Sequence, residues 1–469
     1  MDQPLDEPRS SSAGEDYDNR IVLTIPSTRL VLRLSGLKYI AFTVLGMALL
    51  WPWNCFLSAS EYFTERFSSK PLLANNYSST MMTISTLTST LFNLYLSQRQ
   101  KDVDYAARVR LGQRLTIFVF LLMGLSCLVG TNSSPVMVFV FVMINVFLSS
   151  VGTCLSQVGC MALVNVMKPL YANAVVVGSA IAGVLPSIAL IASTVSIKAS
   201  TEETTQASDR NSAVAVYFFT ACAVSAIALV LFWLCERFDD LKPDTPPASQ
   251  SYIPLANEDP DSVFSADSGP SDDDIIKTVE QQQHSHIHVP FSVLWAKLKL
   301  LVLTIFFTFS VTLIFPVYAS AIESVNHDSH PDSLWFTKRV FIPLAFLVWN
   351  IGDLVGRLAC SLPIFVLSSQ KMMIIYSLSR LLFIPVFYCC NIQNKGALFI
   401  FDSDIVYMVA LLAFGFSNGQ LYSSCFMSVS QYMDTEEEKK AASGFTAVFL
   451  SCGLAFGSLA SYLFVALIY

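Results

Sequence analysis

The chain has 469 residues, of which 54% are apolar and 13% are charged, and its formal net charge is −7. A soluble protein of this length could not bury so much apolar side chain, so the composition predicts an all-α polytopic membrane protein. Most of the negative charge lies between residues 236 and 280, which hold twelve acidic and three basic residues, and the slightly basic remainder gives no indication of nucleic-acid binding.

Eleven mainly apolar stretches, each long enough to cross a bilayer, follow a polar N-terminal segment. Residues 1–36 contain no cleavable signal peptide, so we expect a disordered cytosolic tail and a first span that acts as a signal anchor. The predicted spans cover residues 37–59, 77–98, 113–131, 136–164, 171–197, 212–235, 297–322, 338–366, 372–391, 404–430 and 441–468.

The predicted spans form groups of six and five around a long polar loop. Residues 236–292 are rich in Asp, Ser, Pro and Gln and poor in large apolar side chains, so we expect this cytosolic loop to be disordered. Ser271, which is followed by three aspartates, is a candidate phosphorylation site in it. The N-terminal bundle then covers residues 37–235 and the C-terminal bundle residues 293–469, an arrangement that suits a major-facilitator-like fold.

Lysine and arginine are unevenly distributed between the two sides of this topology. With a cytosolic N-terminus, most of the basic residues flanking the spans fall on the inside, as the positive-inside rule requires. An odd number of spans then puts the C-terminus outside or in a lumen. We expect an integral membrane protein of either the plasma membrane or a vacuolar or lysosomal membrane.

Two opposite charges, Asp353 and Arg357, lie within the otherwise apolar predicted span 338–366. Each costs about 2.5–3.5 kcal/mol to place in the middle of a bilayer. A spacing of four residues puts both side chains on one helix face, and Asn350 extends the same polar stripe. Charges in spans usually face the bundle interior or a water-filled path, so we predict a functional site here. The alternative is a salt bridge that only joins helices.

Other polar residues in the predicted spans have simpler interpretations. Asn54 and Asn418 are interpreted as contacts between helices, and Arg380 as a side chain that extends to the cytosolic interface. Pairs of glycines four residues apart are expected to allow close helix packing, at Gly352 and Gly356, Gly415 and Gly419, and Gly453 and Gly457.

The polar side chains of these spans suit a small neutral ligand. A carboxylate accepts hydrogen bonds and a guanidinium donates them in a fixed fork, so Asp353 and Arg357 suit adjacent hydroxyls, as on a sugar ring. Gln157 can both donate and accept, as recognition of a heterocyclic base requires, and Trp53 and Phe346 offer aromatic faces for stacking. The sequence has no phosphate-binding loop, no nucleophile elbow and no metal-ligand helix motif. We therefore expect a transporter without a cofactor, not an enzyme.

Several segments of the chain resemble the equilibrative nucleoside transporter family. They are WPWNCFLSASEYF (51–63), the region of Gln157, FIPLAFLVWNIGDLVGR (341–357), RLLFIPVFYCCNI (380–392), FGFSNGQL (414–421) and LSCGLAFGSL (450–459). They occur in the family's order over nearly the whole chain from about residue 37. The resemblance implies eleven helices, a cytosolic N-terminus, a large loop between helices six and seven, and transport by alternating access.

The resemblance also implies a set of substrate-binding residues. The family's ribose-binding Asp and Arg in helix eight match Asp353 and Arg357, and its base-contacting Gln in helix four matches Gln157. Further pocket positions match Leu50, Trp53, Leu57, Thr83, Thr86, Phe346, Asn350 and Leu454. The threonines depart from the apolar residues of animal members, and WPWN replaces the family's LPWN, so the base preference stays open.

These observations predict a facilitative carrier that moves nucleosides, or nucleobases, down their gradient as a monomeric functional unit. A proton-coupled nucleoside symporter is an alternative, because Asp353 could titrate. A carrier of another small polar solute, such as a sugar, is a second alternative. A receptor or scaffold that uses the acidic loop is a third.

Overall fold

Long helices, most of which run from one end of the molecule to the other, make up the computed structural model. The structure describes residues 20–25, 30–101, 103–129, 133–199, 207–239, 288–327, 329, 333–392 and 403–468. The candidate phosphorylation site Ser271 and most of the acidic loop lie outside the described residues. We use "loop end" for the end of the bundle at which this segment joins the two halves of the chain.

The N-terminal half begins with two short strands and continues in helices. The strands are β1 Ile21–Ile25 and β2 Leu30–Arg33. The helices are α1 Leu34–Ser58, α2 Ser60–Arg66, α3 Pro71–Gln98, α4 Tyr105–Val129, α5 Pro135–Asn165, α6 Pro169–Ala199 and α7 Ala207–Asp239. Three of these helices begin with proline, which lacks the N–H that a first helical residue leaves unpaired.

The C-terminal half is also helical. Its helices are α8 Phe291–Thr312, α9 Phe315–Ala321, α10 Lys338–Ala359, α11 Gln370–Ser379, α12 Phe383–Tyr388, α13 Asp404–Ser428 and α14 Glu436–Ile468. Single 3-10 turns lie at Leu334–Phe336, Pro363–Phe365, Arg380–Leu382 and Val429–Tyr432. The protein is thus an all-helical membrane protein apart from the strand pair.

Ten helical stretches within the described part of the chain are long and apolar enough to cross a bilayer. They correspond to ten of the eleven predicted spans, which makes the chain a multi-pass integral membrane protein. The remaining predicted span, 77–98, lies in α3, which has 28 residues but is rich in Ser and Thr. Its length suffices for a bilayer, but its composition is less apolar than that of the ten.

The first 36 residues contain more structure than the sequence analysis predicted. Strands β1 and β2 pair in antiparallel fashion, and the Leu34 N–H donates to the Arg20 carbonyl at 2.9 Å, where α1 begins. The segments IVLTI and LVLR are rich in branched aliphatic residues, which favour strands. The disordered tail predicted for residues 1–36 is therefore wrong at these positions.

Two of the predicted spans are interrupted. The span predicted at 297–322 is divided into α8 and α9, and the span predicted at 372–391 is divided by the 3-10 turn Arg380–Leu382. Pro316 and Pro385 lie just beyond these breaks, and neither can donate the backbone hydrogen bond that a continuous helix requires. The two breaks define bends in the C-terminal half.

Glycines allow α10 and α13 to approach within backbone contact. A Cβ atom added to Gly419 would lie 2.0 Å from the carbonyl oxygen of Asp353, and one added to Gly352 would lie 2.4 Å from the carbonyl oxygen of Leu412. Gly453 and Gly457 likewise face the backbone of α8. The predicted packing role of these glycine pairs is confirmed, and it brings α13 against the charged stripe of α10.

Polar side chains also join the two halves of the chain directly. The Asn173 Nδ2 atom on α6 donates to the Ser361 Oγ atom at 3.2 Å, just beyond α10. The Asn93 Nδ2 atom on α3 donates to the Ser451 Oγ atom on α14 at 2.7 Å. Helices α6 and α10 therefore meet at the interface between the halves, and this interface contains the charged stripe.

Candidate functional site

The charged stripe forms a buried ion pair that reaches the opposite half of the molecule. The Arg357 Nη2 atom lies 2.6 Å from the Asp353 Oδ2 atom, and the two residues are only 6% and 3% exposed. The Arg357 Nη1 atom donates to the Val176 carbonyl and to the Ser179 Oγ atom on α6, both at 2.6 Å. Its guanidinium also lies 4.7 Å from the centre of the Tyr422 ring.

The second carboxylate oxygen of Asp353 accepts a hydrogen bond from α13. The Asn418 Nδ2 atom donates to the Asp353 Oδ1 atom at 2.6 Å, and both residues are buried. Both oxygens of the carboxylate are thus paired, which offsets part of the cost of burying its charge. The interpretation of Asn418 as a contact between helices is confirmed.

Asn350 continues the stripe and also contacts the opposite half. Its Nδ2 atom donates to the Ser187 Oγ atom on α6 at 3.1 Å and to the Phe346 carbonyl on its own helix at 2.9 Å. A Cβ atom added to Gly183 would lie 2.9 Å from the Asn350 Oδ1 atom, so α6 passes close to this amide. The predicted polar stripe therefore faces the bundle interior.

Gln157 lies in a different part of the interior, on α5. Its side chain is half-buried and makes no hydrogen bond with another described residue. The neighbouring Gly152 and Gly159 face the backbone of α4, so the α5 segment that carries the amide is packed tightly on one side. The amide of Gln157 consequently keeps both its donor and its acceptor available.

The two predicted aromatic walls belong to separate clusters. Trp53 packs against the aromatic cluster of the N-terminal half, which includes Phe56 and Phe120. Phe346 packs edge-on against Phe315 in the C-terminal half, with ring centres 5.1 Å apart. One wall is therefore in each half of the molecule, on either side of the interface.

The remaining predicted pocket residues are less enclosed. Leu50 and Leu454 are half-buried, whereas Leu57 is 40% exposed. Thr83 is exposed and its hydroxyl donates to the Ser79 carbonyl of its own helix. Thr86 is half-buried. No hydrogen bond within the described chain joins these residues to the ion pair.

Sequence reasoning missed the role of Arg380. Its side chain is 0% exposed, so the interpretation that it extends to the interface is wrong. The Arg380 Nη1 atom donates to the Thr308 carbonyl at 2.7 Å, and its guanidinium lies 4.4 Å from the centre of the Phe414 ring. Arg380 lies at the start of the 3-10 turn that interrupts its predicted span, and its side chain is held between α8 and α13 by hydrogen bonds to both helices.

Several partners of the ion pair also went unnoticed, because they carry no charge. Ser179 and Tyr422 contact Arg357, and Val176 does so through a backbone carbonyl. For Arg380 the sequence does contain one signal of burial, because it is the single arginine in an otherwise apolar predicted span.

A solved structure shares the overall fold. The chain has a TM-score of 0.59 to the structure titled as the major facilitator superfamily proton:xylose symporter XylE bound to 6-bromo-6-deoxy-D-glucose. The match covers 92% of this chain and 90% of that chain at 12% sequence identity. At this identity the match shows the fold alone, which is a major-facilitator-like helical bundle.

Sequence comparison gives the family. The protein-family model described as "Nucleoside transporter" matches residues 143–466. "Nucleoside transporter FUN26" of Saccharomyces cerevisiae is 36% identical over 483 aligned residues, which cover 97% of this chain and 90% of that protein. "Equilibrative nucleoside transporter 1" of Homo sapiens is 26% identical, covering 92% of this chain and 97% of its own length. The chain therefore belongs to the nucleoside transporter family.

Proposed function

We propose that the protein carries nucleosides across a membrane by facilitated, down-gradient alternating access. The observation that carries this proposal is the buried Asp353–Arg357 pair, which lies at the interface between the halves of a nucleoside transporter family member. A charge pair in a membrane span is energetically costly. Its location between two halves that are proposed to move apart suits a substrate-binding site that opens to either side of the membrane.

The pair suits the hydroxyls of a ribose. The Arg357 Nε atom is buried and has no hydrogen-bond partner among the described residues, so one donor of the fork is available to a ligand. A carboxylate accepts about four hydrogen bonds, and Asp353 uses only some of them here. A substrate with neighbouring hydroxyls can accept from Arg357 and donate to Asp353 at the same time.

Base recognition is proposed for Gln157. Its unpaired amide can donate to and accept from the edge of a purine or a pyrimidine. Trp53 and Phe346, one in each half, are proposed to enclose the base between them. We further propose Asn350, Leu50, Leu57, Thr83, Thr86 and Leu454 as lining residues of the same path.

Alternating access requires the contacts between α6 and α10 to break and form again. These contacts are the hydrogen bonds from Arg357 to Val176 and Ser179, from Asn350 to Ser187, and from Asn173 to Ser361. These hydrogen bonds are polar contacts that water or substrate can replace as the halves separate.

The proposed topology has eleven spans, with α3 as the span of lowest hydropathy. The N-terminus and the loop end then face the cytosol and the C-terminus faces outside or a lumen, as the distribution of basic residues predicts. The proposed functional unit is a monomer, with bundles over 37–235 and 293–469 and an acidic loop over 236–292 that can be phosphorylated. The host membrane is the plasma membrane or a vacuolar or lysosomal membrane.

Uptake into vesicles tests the proposal. Proteoliposomes that contain the purified protein should take up labelled uridine and adenosine in a saturable manner, and vesicles without protein should not. The uptake should stop when inside and outside concentrations are equal, and it should be the same with and without an imposed pH gradient. The absence of uptake for every nucleoside and nucleobase would refute the proposed function, and accumulation driven by a pH gradient would replace it with proton coupling.

A further inference from the structure

Arg380 is a fully buried cation whose side-chain donors reach neutral oxygen atoms. Besides the Thr308 carbonyl, its donors reach the Ser417 Oγ atom and the Thr312 Oγ1 atom, both at 3.1 Å. Among the described residues, no Asp or Glu forms a salt bridge with it. Burying an unpaired guanidinium is strongly unfavourable, so the charge requires compensation through its hydrogen-bond partners.

The compensation runs through two neutral side chains to Asp353. The Thr312 Oγ1 atom that accepts from Arg380 lies 2.7 Å from the Asn418 Oδ1 atom. The Nδ2 atom of the same Asn418 amide donates to Asp353 at 2.6 Å. A continuous chain of hydrogen bonds therefore connects the buried cation with the buried anion.

The direction of this chain is fixed by its two ends. An ionised carboxylate only accepts hydrogen bonds, so the amide nitrogen of Asn418 faces Asp353 and the amide oxygen faces Thr312. The Thr312 oxygen accepts from Arg380, because a guanidinium only donates. The Thr312 hydroxyl hydrogen lies within reach of two acceptors at 2.7 Å, the Thr308 carbonyl and the Asn418 amide oxygen, and its donation to Asn418 avoids two oxygens facing each other without a hydrogen between them. Every bond points from the cation toward the anion, and bonds aligned in this way strengthen one another.

We infer that Arg380 is a positioning residue for the proposed ribose site. Through Thr312 and Asn418 it holds the Asp353 carboxylate at a fixed angle, so that the oxygens that meet substrate hydroxyls stay in place. This inference rests on the proposed function, in which Asp353 contacts the substrate. Arg380 itself touches neither the substrate nor Asp353.

A purely structural role for Arg380 makes a different prediction. Arg380 lies in the break between α11 and α12, and its bond to the Thr308 carbonyl lies one turn before the break that follows α8. If it only joined the two breaks, loss of the chain of hydrogen bonds would lower the amount of folded protein and leave substrate selectivity unchanged. A substitution at Thr312 distinguishes the two roles, because it interrupts the chain of hydrogen bonds to Asp353 but leaves the other contacts of Arg380 in place.

The test is Thr312→Val, with Thr304→Val as the matched control. Valine keeps the shape of threonine but cannot transmit the hydrogen bond, while the bonds from Arg380 to Ser417 and Thr308 remain. Thr304 is equally buried, two turns earlier on α8, and its hydroxyl donates only to the Leu300 carbonyl. Each variant is reconstituted in proteoliposomes, and KM and kcat are measured for uridine, 2′-deoxyuridine and 3′-deoxyuridine.

We expect Thr312→Val to raise the KM for uridine about tenfold and to reduce the preference for uridine over the deoxy analogues. Thr304→Val should have the same KM for uridine and the same preference for uridine as the wild type. Thr312→Ser, which restores the hydroxyl, should restore the preference. If the valine variant does not fold, Thr312→Ala removes the same hydroxyl and provides the same measurement.

The outcomes distinguish this inference from the proposed function. A Thr312→Val protein with the wild-type preference among the three nucleosides overturns the positioning role of Arg380, as does an equal loss of preference in Thr312→Ser. A wild-type protein that transports all three nucleosides with equal kcat/KM overturns the ribose site itself, and the inference with it.

Discussion

Asp353 is held on both sides, by a cation from its own helix and by an amide from α13. Removing one partner of a buried pair leaves the other charge without compensation, which costs more than the pair itself contributes. The residues of the proposed site therefore serve stability and binding together. A useful variant must keep the shape of the side chain while removing one of its functions.

Asp353→Asn keeps the shape and removes the charge. We expect kcat/KM for uridine to fall about 10- to 100-fold, because hydrogen bonds to charged groups are worth about 1.5–3 kcal/mol. Arg357→Ala should lower it at least as much. Uptake by reconstituted protein checks both, with Lys338→Ala as the control, since Lys338 is an exposed side chain that pairs with Glu323 at the other end of α10. Normal transport by either variant would show that the Asp353–Arg357 pair only joins helices and does not bind the substrate.

Gln157→Leu tests base recognition separately from ribose recognition. The substitution removes both functions of the amide at similar size, so uptake of adenosine, inosine and uridine should change in unequal proportion, by up to about tenfold. Gln370→Leu is the control, because the Gln370 amide donates to the Lys297 carbonyl near the loop end. Competition assays measure the relative uptake of the three nucleosides by the variant and by the wild type. A uniform change for all three would remove Gln157 from base recognition.

At the scale of helices, the site depends on how closely α10 and α13 approach. Gly352 and Gly419 leave no room for a Cβ atom between the two backbones, and this contact brings the Asn418 amide within reach of Asp353. Arg380 lies at the helix break before Pro385, and its partner Thr312 is the last residue of α8, at the break before Pro316. The geometry of the ion pair is therefore a property of helix packing as much as of its own residues.

Gly419→Leu should separate α10 from α13. Overpacking costs about 1–3 kcal/mol, and the added atoms would meet the backbone of Asp353, which cannot rotate away. We expect a lower melting temperature of the purified protein and loss of nucleoside uptake. Ala413→Leu on the exposed face of the same helix should leave both unchanged. If both leucine variants melt alike, the close approach of the two helices is not what holds the site.

The sequence predicts the features that lie within a single helix, and it does not predict the contacts between helices. A bilayer admits only helices over runs of about 20 apolar residues, so the spans could be read from the sequence, and the i,i+4 spacing gave the stripe of Asn350, Asp353 and Arg357. The partners of Arg357 on α6 are a backbone carbonyl, which has no sequence signal, and the uncharged hydroxyl of Ser179. The location of Arg380 depends on two helix breaks, and the contacts of Gln157 depend on where α5 lies relative to other helices.

The two helical halves meet along α6 and α10, where the proposed site lies, and also where α14 packs against α3 and α5. Polar bonds join the halves near the loop end, where Asn173 donates to Ser361 and the Asn165 amide donates to the Lys439 carbonyl. The proposed alternating access requires movement at this interface, and the proposed site lies within it. Transport is then a property of the interface and not of either half.

Joining the halves should stop transport. The double variant Asn173→Cys with Ser361→Cys places two thiols where the side chains are now 3.2 Å apart. A short bifunctional thiol reagent should reduce nucleoside uptake to the level of empty vesicles. The control pair Ser85→Cys with Ser150→Cys joins α3 and α5 within one half, where the hydroxyls are 3.0 Å apart, and it should keep its uptake. Undiminished uptake by the cross-linked α6–α10 pair would exclude movement at this interface.

The bonds from Arg357 to α6 have a consequence for the kinetics of the cycle. The Arg357 Nη1 atom donates to the Val176 carbonyl and to the Ser179 hydroxyl, so separating the halves removes two acceptors that water or substrate must replace. The proposed binding of a ribose at Arg357 would replace those acceptors with hydroxyls held in place, and this would lower the barrier more than mobile water does. The loaded carrier should therefore reorient faster than the empty one, and unlabelled uridine inside the vesicles should accelerate the entry of labelled uridine.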